Sequence, residues 1–227
     1  MSFASQVKAE LCRQPPKKKC CAVAMAYGVL LYCNTFSPRE IRLVTASGEF
    51  ASLLPRLFRR AFGLGFDEQP EPEAQGKRRF LITEPEKTAA VFRAFGMEPE
   101  DTLVLHINLG VLESDCCRAS FARGAFLAGG SVTDPLKSYH LELVTAHASV
   151  SRELGSLLYE LGFEPGQARR GANYVSYFKQ SETIADFLTA IGAPVAALDV
   201  MSAKVERDMR NEINRKVNCD TANADKT

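Results

Sequence analysis

MAYGVLLYCN at Met25–Asn34 and FARGAFLAGG at Phe121–Gly130 read as apolar helices with small residues at four-residue spacing. Ala24 and Gly28 mark the first, and Ser120, Gly124 and Ala128 the second. Residues four apart share a helical face, and a stripe of small ones lets another backbone approach closely. Such a stripe serves either tight packing on a sheet or the pairing of the two helices with each other. The surrounding sequence favours the pair. Cys-Cys dipeptides at Cys20–Cys21 and Cys116–Cys117 lie 96 residues apart, and in each copy a glycine follows the second cysteine by seven. Gly96 and Gly192, closing TAAVFRAFG and TIADFLTAIG, keep the offset of 96. IRLVTA at Ile41–Ala46 answers LELVTA at Leu141–Ala146 at an offset of 100, so four extra residues enter the second copy around Pro135–Tyr139. Landmarks in one order, twice, are the mark of an internal repeat. Two equivalent helices then meet naturally across a pseudo-twofold axis.

The repeats span residues 20–97 and 116–193, joined by a linker at 98–115. An N-terminal helix with a basic lead-in fills 1–19, and a C-terminal helix and linker fill 194–227. Each copy opens with its apolar helix, Cys20–Tyr32 or Arg118–Ala128, then a half-alternating strand, Ile41–Ala46 or Tyr139–Thr145. An amphipathic helix follows, lined by Phe50, Leu53, Leu54, Leu57, Phe58 and Phe62 or by Leu154, Leu157, Leu158 and Leu161. Gly63 and Gly162 stand where these helices should end. A polar-tipped hairpin then leads into a strand, Arg79–Thr83 or Tyr174–Lys179, and a last helix begins with Pro85 in its first turn or Ser181 as N-cap. The fold class is α+β: two αββαββα units paired through their first helices, each sheet keeping one free face.

Composition excludes several functions. The 227 residues are 46% hydrophobic with a net charge of +1, which argues against coating nucleic acid by bulk charge. The apolar runs Cys20–Leu31 and Leu103–Leu112 are too short or too broken to span a bilayer, and the N-terminus has no apolar signal core. Seven cysteines are an odd number and no C-x-x-C occurs, so neither a disulfide framework nor a zinc motif is expected. Neighbouring cysteines on one helix diverge by about 100°, which suits a single metal ion badly. They read as small, buried, reduced hydrophobes. No cofactor or metal is expected.

FARGAFLAGG resembles the LAGLIDADG helix of the homing endonucleases, and MAYGVLLYCN its partner copy. The resemblance narrows to the bacterial WhiA family through SFASQVKAEL, RGAFLAGGSVTDPLKSYHLELVT and RDMRNEINRKVNCDTANADKT, and covers essentially the whole chain. It implies two αββαββα units whose first helices form the interface, within a regulator of cell division, chromosome segregation and sporulation genes. It also implies a DNA-reading helix-turn-helix domain of which these 227 residues carry no counterpart. DNA would be bound mainly through that domain, with a protein partner in the transcription or division machinery. The expected protein is monomeric, cytoplasmic and nucleoid-associated, with no membrane contact.

The endonucleases carry a metal-binding carboxylate five residues past the motif glycine of each helix. The matching positions here are Cys33 and Gly129, and neither side chain ligates a hard divalent cation. Asp134 lies nearby, but Ser37 and Pro38 occupy the comparable stretch of the first copy. No catalytic residue is therefore assigned, and the chain reads as a non-enzyme. No nucleotide loop, hydrolase elbow or zincin motif occurs, and His106, His140 and His147 read as structural or surface residues. A residual endonuclease and a small-molecule sensor remain the alternatives; the sensor needs a substantial apolar pocket between the repeats.

The free sheet faces would form a saddle on duplex DNA. Candidate contacts are Arg39, Arg42, Lys77, Arg78, Arg79, Lys137, His140, Arg169, Arg170 and Lys179, with Arg207, Arg210 and Arg215 on the C-terminal helix. Residues 116–193 nevertheless hold seven basic and seven acidic side chains, and Asp67, Glu68, Glu71 and Glu73 crowd the first hairpin. The saddle is thus an auxiliary clamp at most. In the tail, Val205, Met209, Ile213 and Val217 recur every four residues and predict a docked apolar stripe over 203–217, followed by a polar connection, CDTANADKT, from Cys219.

Overall fold

The computed structural model describes residues 2–71, 73–100 and 104–224, with side chains up to Cys219. Helix α1 (Phe3–Arg13) is capped by the Ser2 hydroxyl, which accepts from the Ser5 amide at 3.2 Å. The first repeat runs through α2 (Lys19–Leu31), β1 (Thr35–Phe36), β2 (Ile41–Thr45), α3 (Gly48–Phe62), β3 (Arg78–Ile82) and α4 (Pro85–Ala94). The second repeats the order with α5 (Asp115–Gly129), β4 (Gly130–Val132), β5 (Leu141–Thr145), α6 (Ala148–Glu160), β6 (Gly166–Arg170), β7 (Asn173–Phe178) and α7 (Ser181–Ile191). A long helix, α8 (Pro194–Ala224), follows. The mixed architecture read from the duplication is present, with two antiparallel sheets ordered β1-β2-β3 and β4-β5-β7-β6. Between their first two strands lie residues 37–40 in one copy and 133–140 in the other, which accounts for the four extra residues.

The elements form where the local chemistry directs them. The Ser47 hydroxyl accepts from Phe50 N to start α3, and Gly63 ends it at φ 75°, a conformation that costs glycine no steric strain. Phe50, Leu53, Leu54, Leu57 and Phe58 are buried on one face of α3, as their spacing requires. Asp67 reaches across to the start of α4, accepting from the amides of Thr83 and Glu84 at 2.7 and 2.8 Å and from Lys87 Nζ at 2.5 Å. Burial alone would raise the Asp67 pKa, but these donors outweigh it and hold the carboxyl at about 2. The linker is pinned from both repeats. Tyr27 Oη donates to His106 O and accepts from Asn108 N, while Glu153 accepts from Ile107 N at 2.7 Å.

Four expectations need correction. Ser181 is the first residue of α7 rather than its cap, and its hydroxyl donates to Glu182 instead. The first repeat has no counterpart of β6 among the described residues. One bridge, Glu68 to Leu81, stands in its place, and Pro70 beside it cannot donate to a ladder. The residues from Cys219 to Ala224 continue α8, with no break into a connection. Lastly, the tail stripe is exposed: Val205 56%, Met209 60%, Ile213 58% and Val217 56%. The docked face of α8 lies earlier, at Ala196, Ala197, Val200 and Ala203, where small side chains let it seat on the body. Beyond Ala203, Lys204, paired with Glu182, and Arg207, over the Tyr139 ring, still reach the body.

Candidate nucleic-acid interface and the paired helices

The first helices of the two repeats, α2 and α5, are the centre of the molecule. A Cβ on Gly28 would overlap the Phe121 carbonyl and lie 2.8 Å from Ala125 N. On Gly124 it would overlap the Met25 carbonyl and lie 3.0 Å from Val29 N. The contacts are reciprocal, each glycine receiving the other helix's backbone, as a twofold arrangement demands. Ala24 is fully buried beside them, while Ser120 and Ala128 are only half-buried. Ser120 returns its hydroxyl to Cys116 O at 2.7 Å.

The two positions at which the resemblance implies a metal-binding carboxylate, Cys33 and Gly129, lie at the C-terminal ends of the pair. The Cys33 thiol here donates to Thr35 O at 3.2 Å, and burial pushes its pKa up to about 12. A Cβ on Gly129 would overlap Val144 O and lie 2.9 Å from the Tyr32 ring. A carboxylate therefore has no seat at 129, because a tyrosine ring and a strand carbonyl occupy its space. Asp134 is also committed, accepting from Leu136 N at 3.0 Å to hold a turn. A neutral, half-buried thiol, a glycine and a turn carboxylate do not fit the donor set of a hard divalent cation.

Strand alternation decides which basic residues face outward from the sheets. Arg42 and Leu81 pair across the first sheet, as do Val44 and Arg79, and these four share its free face. Arg78 pairs with Thr45 and turns to the helix side, its guanidinium reaching toward Ala46 O. Arg169 pairs with Tyr174, in register with buried Thr145, so it too is off the free face. Adjacent residues of a strand point to opposite sides, so the runs at 77–79 and 169–170 split.

The outward arginines are largely neutralised. Arg42 pairs with Glu40 at 3.2 Å, Arg79 with Glu68 at 2.7 Å and Arg170 with Glu142 at 3.1 Å. His140 shares Glu142 at 3.1 Å, so the two side chains meet each other. Burial disfavours the Glu142 charge, but hydrogen bonds from Arg170 and His140 prevail and lower its pKa. Among the described residues Arg39, Lys77, Lys137, Arg169 and Lys179 have no carboxylate partner. Lys179 lies over the Tyr177 ring at 5.0 Å. On α8, Arg207 stacks 4.3 Å from the Tyr139 ring and donates to Pro135 O at 2.9 Å, while Arg210 and Arg215 are exposed. An open groove of about 360 Å³ between the repeats is lined by Phe36, Pro38, Leu105, His147 and Tyr174 among others. It lacks the enclosed apolar walls of a ligand cavity.

The opposite, N-terminal ends of α2 and α5 hold an arrangement the sequence reading missed. The Sγ atoms of Cys20, Cys21 and Cys117 lie within 4.8 Å of one another, and Cys116 contacts Cys21. Cys20 and Cys116 are exposed rather than buried, which corrects their reading as core hydrophobes. Divergence on one helix is real, but the second helix brings its own pair to the same spot. The 96-residue repeat and the parallel packing of the stripes together were the available signal. The Cys117 thiol lowers the pKa of Cys20, whereas burial raises those of Cys21 and Cys117, the latter to about 12.

Comparison with known proteins adds the following. Residues 118–210 match the family described as the WhiA LAGLIDADG-like domain. The chain is 35% identical over 237 aligned residues to a probable cell division protein WhiA of Ruminiclostridium cellulolyticum, covering 100% of this chain and 75% of that protein. With the equivalent protein of Macrococcus caseolyticus it shares 32% identity over 100% of this chain and 74% of the relative. Among solved structures it superposes on full-length DUF199/WhiA from Thermatoga maritima with a TM-score of 0.75 at 22% identity, covering 100% of this chain and 74% of that one. The homing endonuclease I-DmoI, solved in complex with DNA and Mn, matches with a TM-score of 0.50 at 13% identity over 77% of this chain and 97% of its own. At that identity the likeness is one of fold. No helix among the described residues is long and apolar enough to cross a membrane.

Proposed function

This chain belongs to the WhiA family of cell division proteins, and from that premise we propose that it is a non-catalytic LAGLIDADG-type scaffold within a DNA-binding regulator. It serves genes of cell division, chromosome segregation and sporulation, offers a surface to the transcription or division machinery, and contributes an auxiliary, backbone-only contact to DNA. The observation that carries the reading is the filling of the Gly129 position by the Tyr32 ring and Val144 O, which leaves no room for a metal-binding carboxylate. The pairing of Arg42, Arg79 and Arg170 with carboxylates supports the auxiliary role, since a neutralised arginine has little charge left to displace counterions.

The test is the salt dependence of duplex binding. Without Arg169, which is off the free face, four unpaired basic side chains neutralising at most four phosphates give a slope of log K on log salt no steeper than about −4. Affinity should be equal for unrelated duplexes of the same length. A slope beyond about −6, or a strong preference for one sequence, contradicts the auxiliary reading and makes the saddle a principal DNA reader.

A further inference from the structure

Cys20 and Cys21 occupy the second and third positions of α2, and Cys116 and Cys117 the same positions of α5. The pseudo-twofold axis pairs them crosswise, Cys20 with Cys117 and Cys21 with Cys116. Three of the four sulfurs already lie within 4.8 Å of one another. A tetrahedral zinc tetrathiolate, with Zn–S near 2.3 Å, has sulfurs about 3.8 Å apart, so side-chain adjustment closes the difference. Neither helix has a capping side chain at its start: Lys18 and Ser114 make no cap bond, and the sulfurs sit in the first turns, at the positive ends of two helices. The Lys18 ammonium adds to that field. These groups offset the negative charge that four thiolates leave on one divalent ion. Cys21 and Cys116 also line an open groove shared with Lys18 and Arg123, which gives an ion a path in.

We propose that the four cysteines form a binding site for one thiophilic divalent ion, Zn²⁺, which clamps the two repeats at the N-terminal ends of their paired helices. Binding replaces thiol protons by metal–sulfur bonds, with one proton released to solvent for each thiol that is protonated beforehand and no change of oxidation state. The site lies at the opposite end of the pair from the endonuclease position and is independent of the non-catalytic reading.

The experiment uses the full chain, reduced, freed of metal with a chelator and then passed into chelator-free buffer. Zn²⁺ titration against a chromophoric competitor should give one equivalent bound, and Co²⁺ should give thiolate-to-metal charge-transfer bands with tetrahedral ligand-field intensity. At zinc one hundred times Kd the thermal midpoint should rise by roughly 5–10 °C. Single Cys20→Ser, Cys116→Ser and Cys117→Ser variants should each weaken binding about 100-fold or more, while Cys219→Ser leaves it unchanged; far-UV circular dichroism identifies any variant that fails to fold. Absence of stoichiometric uptake by the reduced, folded chain overturns the proposal. So does uptake that survives Cys116→Ser and Cys117→Ser at full affinity.

Discussion

Gly28 and Gly124 matter for the atom they lack. Each passes the opposite helix backbone so closely that a methyl group would overlap a carbonyl. Backbone, unlike a side-chain tip, cannot rotate away, so the helices must separate. Gly28→Ala and Gly124→Ala should each lower unfolding free energy by about 3 kcal/mol, the upper end of overpacking costs, as read by urea denaturation. An unchanged midpoint for either would mean that the helices are not in contact there. Asp67 acts through charge instead. Its depressed pKa, about 2 in the fold against about 3.9 in an unfolded chain, stabilises the protein above pH 4, and the benefit disappears as pH falls toward 2. Asp67→Asn should cost about 1 kcal/mol at pH 7, comparable to a lost helix cap, and flatten the decline in thermal midpoint between pH 4 and pH 2. A variant whose acid profile matches the parent's would show that the carboxylate is not charged against Thr83, Glu84 and Lys87.

Among the elements, α8 departs furthest from expectation. Periodicity established that residues 203–217 form an amphipathic helix, but not whether anything lies opposite its apolar stripe, because a four-residue repeat describes a face and not its partner. In the fold the first turns of α8 dock through Ala196, Ala197, Val200 and Ala203, and the stripe from Val205 onward is exposed. Met209→Ser should accordingly change stability by less than about 0.5 kcal/mol. Val200→Ala, one helical face earlier and fully buried, should cost about 2 kcal/mol. Calorimetry on the two variants separates the docked part from the exposed one, and a large loss from Met209→Ser would place a partner on the stripe.

The duplication made most of the architecture readable before any coordinates. Two equal offsets, carried by Gly28 with Gly124 and by Gly96 with Gly192, required two similar units and a shared axis. The site was less legible, for identifiable reasons. Arg78 and Arg169 looked like DNA contacts because a run of basic residues hides the alternation that sends every second one to the helix side. Arg79 and Arg170 looked free because their carboxylate partners, Glu68 and Glu142, lie elsewhere in the chain, whereas the Glu40 that pairs with Arg42 is two residues away and was within reach of the sequence. The cysteines were judged one helix at a time, although their chemistry depends on two helices meeting. The lost carboxylate positions, by contrast, were visible directly at Cys33 and Gly129, since identity alone excludes a hard-metal ligand.

On the non-catalytic reading proposed above, the C-terminal ends of the paired helices, at Cys33 and Gly129, carry no metal-binding carboxylate. Supercoiled plasmid incubated with the purified chain and either Mg²⁺ or Mn²⁺ addresses it most directly. The plasmid should remain supercoiled with both ions, and Cys33→Asp alone should not restore cleavage, because the opposite position at Gly129 has no room for a second carboxylate. Metal-dependent nicking by the parent chain, abolished in an Asp134→Ala variant, would contradict the non-catalytic reading outright.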